Sequence, residues 1–473
     1  MTTSEFEGRW RGKASGAAAS HARGEVIAVA ALCAVLPAAS LFAAAGIPGL
    51  PALLDLAAGL LAIGAAGLVV ARRLAFTLPV AGLAPSAVLI GLAAAWIALQ
   101  ASPFLPAAWT HPLWRVVAAA LPEGSGPPAA AVSLDPGVGF DRLLALLRDA
   151  ALLWLAYHLA ASTRHGWNLL RCAAATGAAL SAWALLALGL HAAGVALGLA
   201  VAEYVPDPPT GFATVANVAF AAALAAMIGH RGASAQPAAS PPRASSSGLA
   251  GFLAATPSIP SFAALAILGA AVAAGGPGEV LALLIGIGAM LAALLAAPSF
   301  AGFRHRPSAA LGVAALAAAL LVAAAAGFNR MTADSAAPDG QTPYAIAAQA
   351  IADAPALGTG AGTFRAVLAL YGAEPASAGA GDLLESFVEL GMPAAFALIL
   401  ACAGLVVLCA RGVWQRRRNA IFPALGIGLA FLVAARSIAG AALQNPLAAL
   451  FWCILMGVAC GQSHRSQDRH SSR

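Results

Sequence analysis

Residues 343–393 read PYAIAAQAIADAPALGTGAGTFRAVLALYGAEPASAGAGDLLESFVELGMP and gather charged side chains that the rest of the chain avoids. Asp353, Arg365, Glu374, Asp382 and Glu385 all lie here, although the 473-residue chain is 61% hydrophobic and only 9% charged. A soluble globular domain carries about 25% charged residues. The stretch is therefore the polar exception in a chain with the composition of a membrane protein.

Apolar windows long enough to cross a bilayer recur along the chain between clusters of Pro, Gly or Arg. A spanning helix needs about 20 mainly apolar residues, because its backbone must satisfy its own hydrogen bonds in lipid. The windows predict an all-α polytopic membrane bundle of about 12 transmembrane helices. Twelve windows centre on 25–46, 52–71, 82–101, 149–162, 172–191, 211–229, 260–275, 279–297, 309–328, 386–410, 420–438 and 444–462.

Basic residues predict the orientation, because Lys and Arg accumulate in cytoplasmic loops. Of the 25 Lys and Arg residues, 19 precede the first window or follow every second one. Both termini are therefore predicted to be cytoplasmic, and the long loop at 329–385 to be periplasmic. The net charge of +6 follows from this topology. No basic patch is interleaved with aromatic residues, so we expect no nucleic-acid partner.

The windows and the polar segments between them divide the chain into seven parts. The 230–260 segment is rich in Pro, Ser and Ala and is predicted to be a disordered linker. The 329–385 segment contains an Ala-rich run that favours helix, so it is predicted to be a structured cap. In order, the parts are a cytoplasmic tail (1–24), an N-terminal transmembrane bundle (25–229), the cytoplasmic linker (230–260), central transmembrane helices (261–328), the periplasmic cap loop (329–385), C-terminal transmembrane helices (386–462) and a cytoplasmic tail (463–473).

The glycines of GTGAGTF, at 358, 360 and 362, leave two interpretations open. A dinucleotide fingerprint needs a preceding strand and a P-loop needs GK[ST], and neither is present. The run is then either a tight turn between two cap helices or a loop whose N–H groups approach an anionic head group. The six cysteines show no CxxC spacing, and we predict neither a metal site nor a cofactor.

Ionisable side chains inside the hydrocarbon zone are costly, and transporters that couple to ions usually display them. The predicted helix interiors are nearly free of them. The visible exceptions are Asp55, His158 and Arg436, which lie near window ends and which we interpret as interfacial. An ion-coupled transporter is therefore disfavoured, and chemistry on a lipid-borne substrate at the outer surface is favoured.

Acidic residues cluster where the tenth window begins. Glu385 and Glu389 are four residues apart, with Asp382 one turn earlier, so all three share a helix face. They are either a solvated helix start that complements the helix dipole or groups that bind a cation or sugar hydroxyls. Three predicted outside arginines have the side chain best shaped to hold a pyrophosphate, although an arginine there also costs nothing in solvent. They are Arg330, Arg365 and Arg436.

The segments AIAAQAIADAPALGTGAGTF and DLLESFVELGMP resemble the O-antigen ligase and polymerase superfamily. Members carry D-x-P-x-x-G-x-G-x-G-T-F and then a second, acidic stretch in the large periplasmic loop. VSLDPGVGFDRLLALLRDAALLWLAYHLA likewise resembles the family's S-x-D-P segment. The resemblance implies a multi-pass glycosyltransferase of the bacterial inner membrane, surrounded by membrane lipids. It also implies an undecaprenyl-pyrophosphate-linked glycan as donor, and lipid A core, a growing polysaccharide or a protein as acceptor.

The same comparison places Asp382 and Glu389 on acidic positions of the family, and Ala380 where the family has a loop histidine. Pro277 takes the place of an arginine in the turn between two central helices. The basic residue near the start of the cap helix corresponds to Gly340 or Gln341.

Two hypotheses follow from these departures. In the first, the outside histidines His111 and His191 act as catalytic residues beside the cap, and the three arginines hold the pyrophosphate. In the second, the chain is a non-catalytic membrane component of envelope polysaccharide assembly or export.

Overall fold

The computed structural model describes residues 3–44, 49–71, 80–106, 108–120, 131–192, 210–234, 258–297, 343–370, 381–416 and 419–464, which form helices and turns without a strand. A single 3-10 turn spans Val80–Gly82. The α-helices are α1 (Thr3–Ala44), α2 (Leu50–Val70), α3 (Ala84–Ala101), α4 (Leu113–Ala120), α5 (Pro136–Leu159), α6 (Thr163–Ala192), α7 (Thr210–Ser234), α8 (Ser258–Ala274), α9 (Pro277–Ala296), α10 (Pro343–Asp353), α11 (Phe364–Leu370), α12 (Asp382–Gln415), α13 (Ile421–Ala439) and α14 (Pro446–Ser463).

Within these described ranges, nine helices are long and apolar enough to cross a membrane, namely α1 from Gly24, α2, α3, α6, α7, α9, α12, α13 and α14. The predicted all-α polytopic class is confirmed at this level. The window at 260–275 corresponds to the shorter α8, and the window at 149–162 overlaps the second half of α5 and extends three residues past its end. The window at 309–328 lies outside the described residues. The count of twelve and the side of each terminus stay predictions.

The predicted boundaries between the seven parts do not all coincide with the ends of helices. The predicted tail 1–24 is mostly inside α1, which begins at Thr3. The predicted linker 230–260 overlaps the ends of α7 and α8, and 235–257 lies outside the described residues. Of the predicted cap loop, 343–370 and 381–385 are described.

The last helix, α14, forms the centre of the bundle. All its residues from Leu447 to Ser463 are buried, and it packs most extensively along α5. Gly457 and Gly461 allow this approach, because a Cβ at either would collide with a backbone carbonyl of α5, at Leu153 and Tyr157 respectively. Small residues four apart are a common means of close helix packing in membranes, where lipid provides no hydrophobic drive between helices.

Helix α12 is bent at Gly391, where the sequence is ELGMP. Gly391 has φ of 76°, and Pro393 has no N–H to donate to the carbonyl of Glu389. The bend lies six residues beyond the predicted end of the cap loop at 385. The turns of α12 before it pack on the cap, which we define as residues 343–370.

The carbonyls freed by the bend accept hydrogen bonds from other parts of the chain. The N–H of Thr359 donates to Val388 O (3.0 Å) and the N–H of Gly360 donates to Glu389 O (2.9 Å). The indole of Trp96 on α3 donates to Leu390 O (2.9 Å). The cap loop and α3 therefore complete the backbone hydrogen bonding of α12, which fixes the cap at one end of the bundle, here termed the cap end.

The glycine run of the cap loop is a tight turn. Gly358, Gly360 and Gly362 have φ of 68°, 107° and 81°, a region that residues with a Cβ rarely adopt. The N–H of Gly358 donates to Ala354 O (3.1 Å) and that of Gly360 to α12. The N–H groups of Gly358 and Gly360 are thus bonded within the protein, so the interpretation as a tight turn is confirmed at these two positions.

Candidate functional site

Asp382, at the start of α12, joins that helix to the loop between α13 and α14. Its Oδ2 accepts from the N–H groups of Ala442 (2.6 Å) and Leu443 (2.8 Å). Its own N–H donates to Gly440 O (3.3 Å). The carboxylate therefore satisfies two backbone N–H groups of this loop and holds the loop against the start of α12.

Glu385 and Glu389 are buried, so the interpretation as a solvated helix start is wrong for both. Glu385 Oε1 lies 3.8 Å from Arg142 Nη2 on α5, and Glu385 Oε2 accepts from the side-chain amide of Gln444. Glu389 Oε1 accepts from the N–H of Phe364 (3.0 Å), the first residue of α11. The Glu389 side chain therefore caps the start of α11 by accepting from a backbone N–H group there. Among the described residues, no three His, Cys, Asp or Glu are grouped to hold a metal ion.

Arg436 is buried near the end of α13 and is paired with Glu279. Its Nε donates to Glu279 Oε1 at 2.6 Å, and Glu279 is only 1% exposed. Glu279 also accepts from Thr214 Oγ1 (3.0 Å), while Asn217 Nδ2 donates to the Glu279 backbone carbonyl (3.1 Å). One carboxylate thus joins α7, α9 and α13.

Glu279 was not predicted as a functional residue, because an acid in the first turn of α9 resembles an ordinary helix start. The feature of the sequence that could have pointed to Glu279 was Arg436. An arginine buried inside a membrane bundle needs an acidic partner at the same depth. The guanidinium of Arg436 is bonded to that partner, and its interfacial depth stays a prediction, since it lies in the last turn of α13.

A second charge cluster lies between α2 and α5. Arg148 Nη1 lies 3.2 Å from Asp55 Oδ1, and Arg148 Nε lies 2.8 Å from Asp149 Oδ1. The Arg148 side chain is 5% exposed, so the charges of this cluster are paired inside the helical bundle. Asp55, interpreted above as interfacial, is one partner of this cluster, and the helix interiors carry more charge than the sequence indicated.

The remaining predicted site residues are spread over different environments. Arg365 is exposed on α11, in contrast to the buried Arg436. His191 lies in the last turn of α6, and its side chain is outside the described part of the structure. Arg330, Ala380, Gly340 and Gln341 lie outside the described residues. The contacts described here therefore do not join the predicted arginines into one site.

His111 lines a cleft of about 670 Å³ at the cap end. One wall is the segment between α3 and α4, and the other is the cap, with Asp353 and the loop 354–359. Polar side chains lie at the rim, where Arg115 and Asp353 are exposed. The floor is apolar and is formed by Val132, Leu134, Ala350 and Val367, and the exposed Leu370 also lines the cleft.

The hydrogen bonding of His111 defines its chemistry. Its Nδ1 accepts from the N–H of Leu113 (3.3 Å), so in the neutral ring the proton is assigned to Nε2. Burial lowers the pKa of His111 below its ordinary value, which keeps the ring neutral at pH 7. Neutral His111 is therefore a hydrogen-bond donor through Nε2, and not a base at that atom.

The cleft follows the description of a small-molecule site, with a mostly apolar lining and a few polar groups. The sequence pattern identified His111 but neither Arg115, which lies four positions further along the chain, nor Asp353, which only the packing of the cap brings to the cleft. Comparison with known proteins adds no assignment, since no family model, no curated protein and no solved structure matches the chain.

Proposed function

We propose that this chain is a multi-pass protein of a bacterial inner membrane that transfers or polymerises an undecaprenyl-pyrophosphate-linked glycan at the periplasmic face. The observation that carries the proposal is the cleft beside His111, which combines a polar rim and an apolar floor under a structured cap. Such a site can hold a hydroxyl-bearing molecule while the lipid tail of its partner stays in the bilayer. The sequence resemblance of the cap supports the same chemistry.

The proposed reaction is a displacement at a sugar carbon. The hydroxyl oxygen of the acceptor forms a bond to the anomeric carbon of the donor glycan, and the bond from that carbon to the pyrophosphate oxygen breaks. The lipid pyrophosphate leaves with the electron pair, and the hydroxyl proton passes to a base. Cationic groups stabilise the leaving pyrophosphate in such a reaction. Arg330 and the exposed Arg365 are the proposed contacts, because Arg436 is already paired.

Deletion of the gene, followed by gel analysis of lipopolysaccharide and other surface glycans, tests the proposal. Loss of the glycan ladder with free core retained supports ligation. Core that carries a single repeat unit supports polymerisation. An unchanged glycan pattern in the deletion strain contradicts both forms of the proposal.

A specific observation favours a second candidate, a non-catalytic component of envelope polysaccharide assembly or export. Asp382, Glu385, Glu389 and Arg436 are all bonded within the protein, which leaves fewer groups to bind a substrate than the sequence indicates. Purified protein in liposomes with a lipid-linked glycan and an acceptor separates the two candidates. A deletion phenotype without transfer by the purified protein favours the second.

A further inference from the structure

We propose that the cleft beside His111 binds an uncharged sugar, and that the donor pyrophosphate is bound elsewhere. This inference rests on the proposed function. It assigns the cleft to the acceptor glycan, whose hydroxyl oxygen forms the new bond. Three features of the cleft carry it: the charge of its lining, the chemistry of its surface and the way its walls are held.

The charge of the described lining is balanced. Arg115 contributes one positive charge and Asp353 one negative charge, while His111 is neutral near pH 7. A pyrophosphate requires an excess of cationic donors, commonly arginines that bind it in a bidentate way. A carboxylate on the opposite wall would repel it. Sugar hydroxyls need no net charge, because each one both donates and accepts hydrogen bonds.

The surface of the cleft has the two kinds of contact that a sugar ring makes. Trp109 lines the cleft and is 45% exposed, so its ring can offer an apolar face to the C–H groups of a sugar. The rim offers a guanidinium of Arg115 and the imidazole N–H of His111 as donors, and the carboxylate of Asp353 as an acceptor. A volume of about 670 Å³ is within the usual range for small-molecule sites.

The walls of the cleft are held by backbone and indole hydrogen bonds. The N–H of His111 donates to Ala131 O (3.0 Å), and the N–H of Leu134 donates to Thr359 O on the cap (3.0 Å). Trp114 Nε1 donates to Ser133 O (3.2 Å) at the base of the same wall. These bonds fix the relative positions of the two walls before a ligand binds, which lowers the entropy lost on binding.

Saturation-transfer NMR on the purified full-length protein in detergent tests the inference. The probes are neutral oligosaccharides released by mild acid from the surface polysaccharide of the source cell, and inorganic pyrophosphate. We expect transfer to the oligosaccharides and not to pyrophosphate. Trp109→Ala and Asp353→Asn should each weaken oligosaccharide binding by about tenfold, which corresponds to about 1.4 kcal/mol.

Matched controls are available on exposed parts of the chain. Phe104→Ala removes an aromatic ring that is 91% exposed outside the cleft, and Asp141→Asn neutralises an exposed acid on α5. Both should bind oligosaccharide as the wild type does. All four variants must unfold at the same temperature as the wild type, so that a loss of binding can be attributed to the cleft and not to unfolding.

Two results would overturn the inference. One is the absence of oligosaccharide binding by folded wild-type protein. The other is pyrophosphate binding that is lost in Arg115→Gln. The proposed function fails separately, by an unchanged glycan pattern in the deletion strain. Sugar binding in the absence of a deletion phenotype would keep the cleft as a sugar site and reject the transfer reaction.

Discussion

The acidic start of α12 and the cleft beside His111 lie at the same cap end of the bundle and use polar side chains in opposite ways. Asp382, Glu385 and Glu389 are bonded to backbone N–H groups, to an amide and to Arg142. Arg115 and Asp353 stand exposed at the rim of an open cleft. The acidic residues at the start of α12 hold the cap, whereas Arg115 and Asp353 are exposed to solvent at the cleft.

The difference follows from the energetics of buried polar groups. A buried carboxyl group is tolerated when hydrogen-bond donors reach it, and removing such a partner leaves it with a large desolvation penalty. A rim residue in contact with water incurs little of that penalty. Substitutions in the bonded groups should therefore change stability, and substitutions at the rim should change ligand binding.

The largest expected effect comes from the Arg436 and Glu279 pair. Arg436→Met leaves the carboxylate of Glu279 buried without its charge partner, and we expect a loss of about 3–5 kcal/mol in the free energy of unfolding. Unfolding by SDS in mixed micelles measures it. The double variant Arg436→Met with Glu279→Gln should recover part of the loss, because no buried charge remains. Equal stability of wild type and Arg436→Met would show that the pair is not buried as described.

The next effect comes from the cap loop. Gly360→Ala places a Cβ against Ser133 at a φ of 107°, and we expect a loss of about 1–3 kcal/mol and faster proteolysis of the cap. Gly64→Ala on α2 is the matched control, because nothing lies within 4 Å of its added Cβ. The control should be neutral or slightly more stable. A cap that resists protease equally in both variants would mean that the glycine turn does not hold it.

The sequence predicted the elements whose signals are local. Apolar windows located most of the long helices, whereas the bend of α12 at Gly391 was not predicted. Local signals failed for α5, which begins at Pro136 although the window was placed at 149–162. Its charged residues interrupt the hydropathy pattern, and they are tolerated because partners such as Asp55 reach them from other helices.

The candidate site was predictable only in part for the same reason. His111 was identified as a histidine in a predicted outside loop, but its neighbours depend on how the cap packs against the segment between α3 and α4. The arginines were grouped by their side of the membrane. Residues on the same predicted side of the membrane need not lie in the same environment: Arg365 is exposed, whereas Arg436 is buried.

A smaller effect concerns the pH dependence of stability. The pKa of His111 in the folded protein is lowered below its ordinary value of 6.5, so the unfolded chain binds a proton more readily. The contribution of His111 to stability is therefore present above pH 6.5 and decreases as the pH falls below that value. His111→Gln should unfold with a shallower pH dependence between pH 7 and 5, measured as the difference from wild type. Parallel pH profiles would show that burial does not restrain this ring.

The smallest change in stability is expected at the rim of the cleft, together with a clear change in function. Arg115→Gln removes an exposed charge, so the free energy of unfolding should stay within about 0.5 kcal/mol of the wild type. If the cleft binds the glycan, the same variant should fail to restore surface glycans fully in the deletion strain. Arg411→Gln, an exposed arginine at the opposite end of α12, is the matched control and should restore them. A destabilised Arg115→Gln would place this residue with the bonded acids of α12, and the contrast between the two regions would then be wrong.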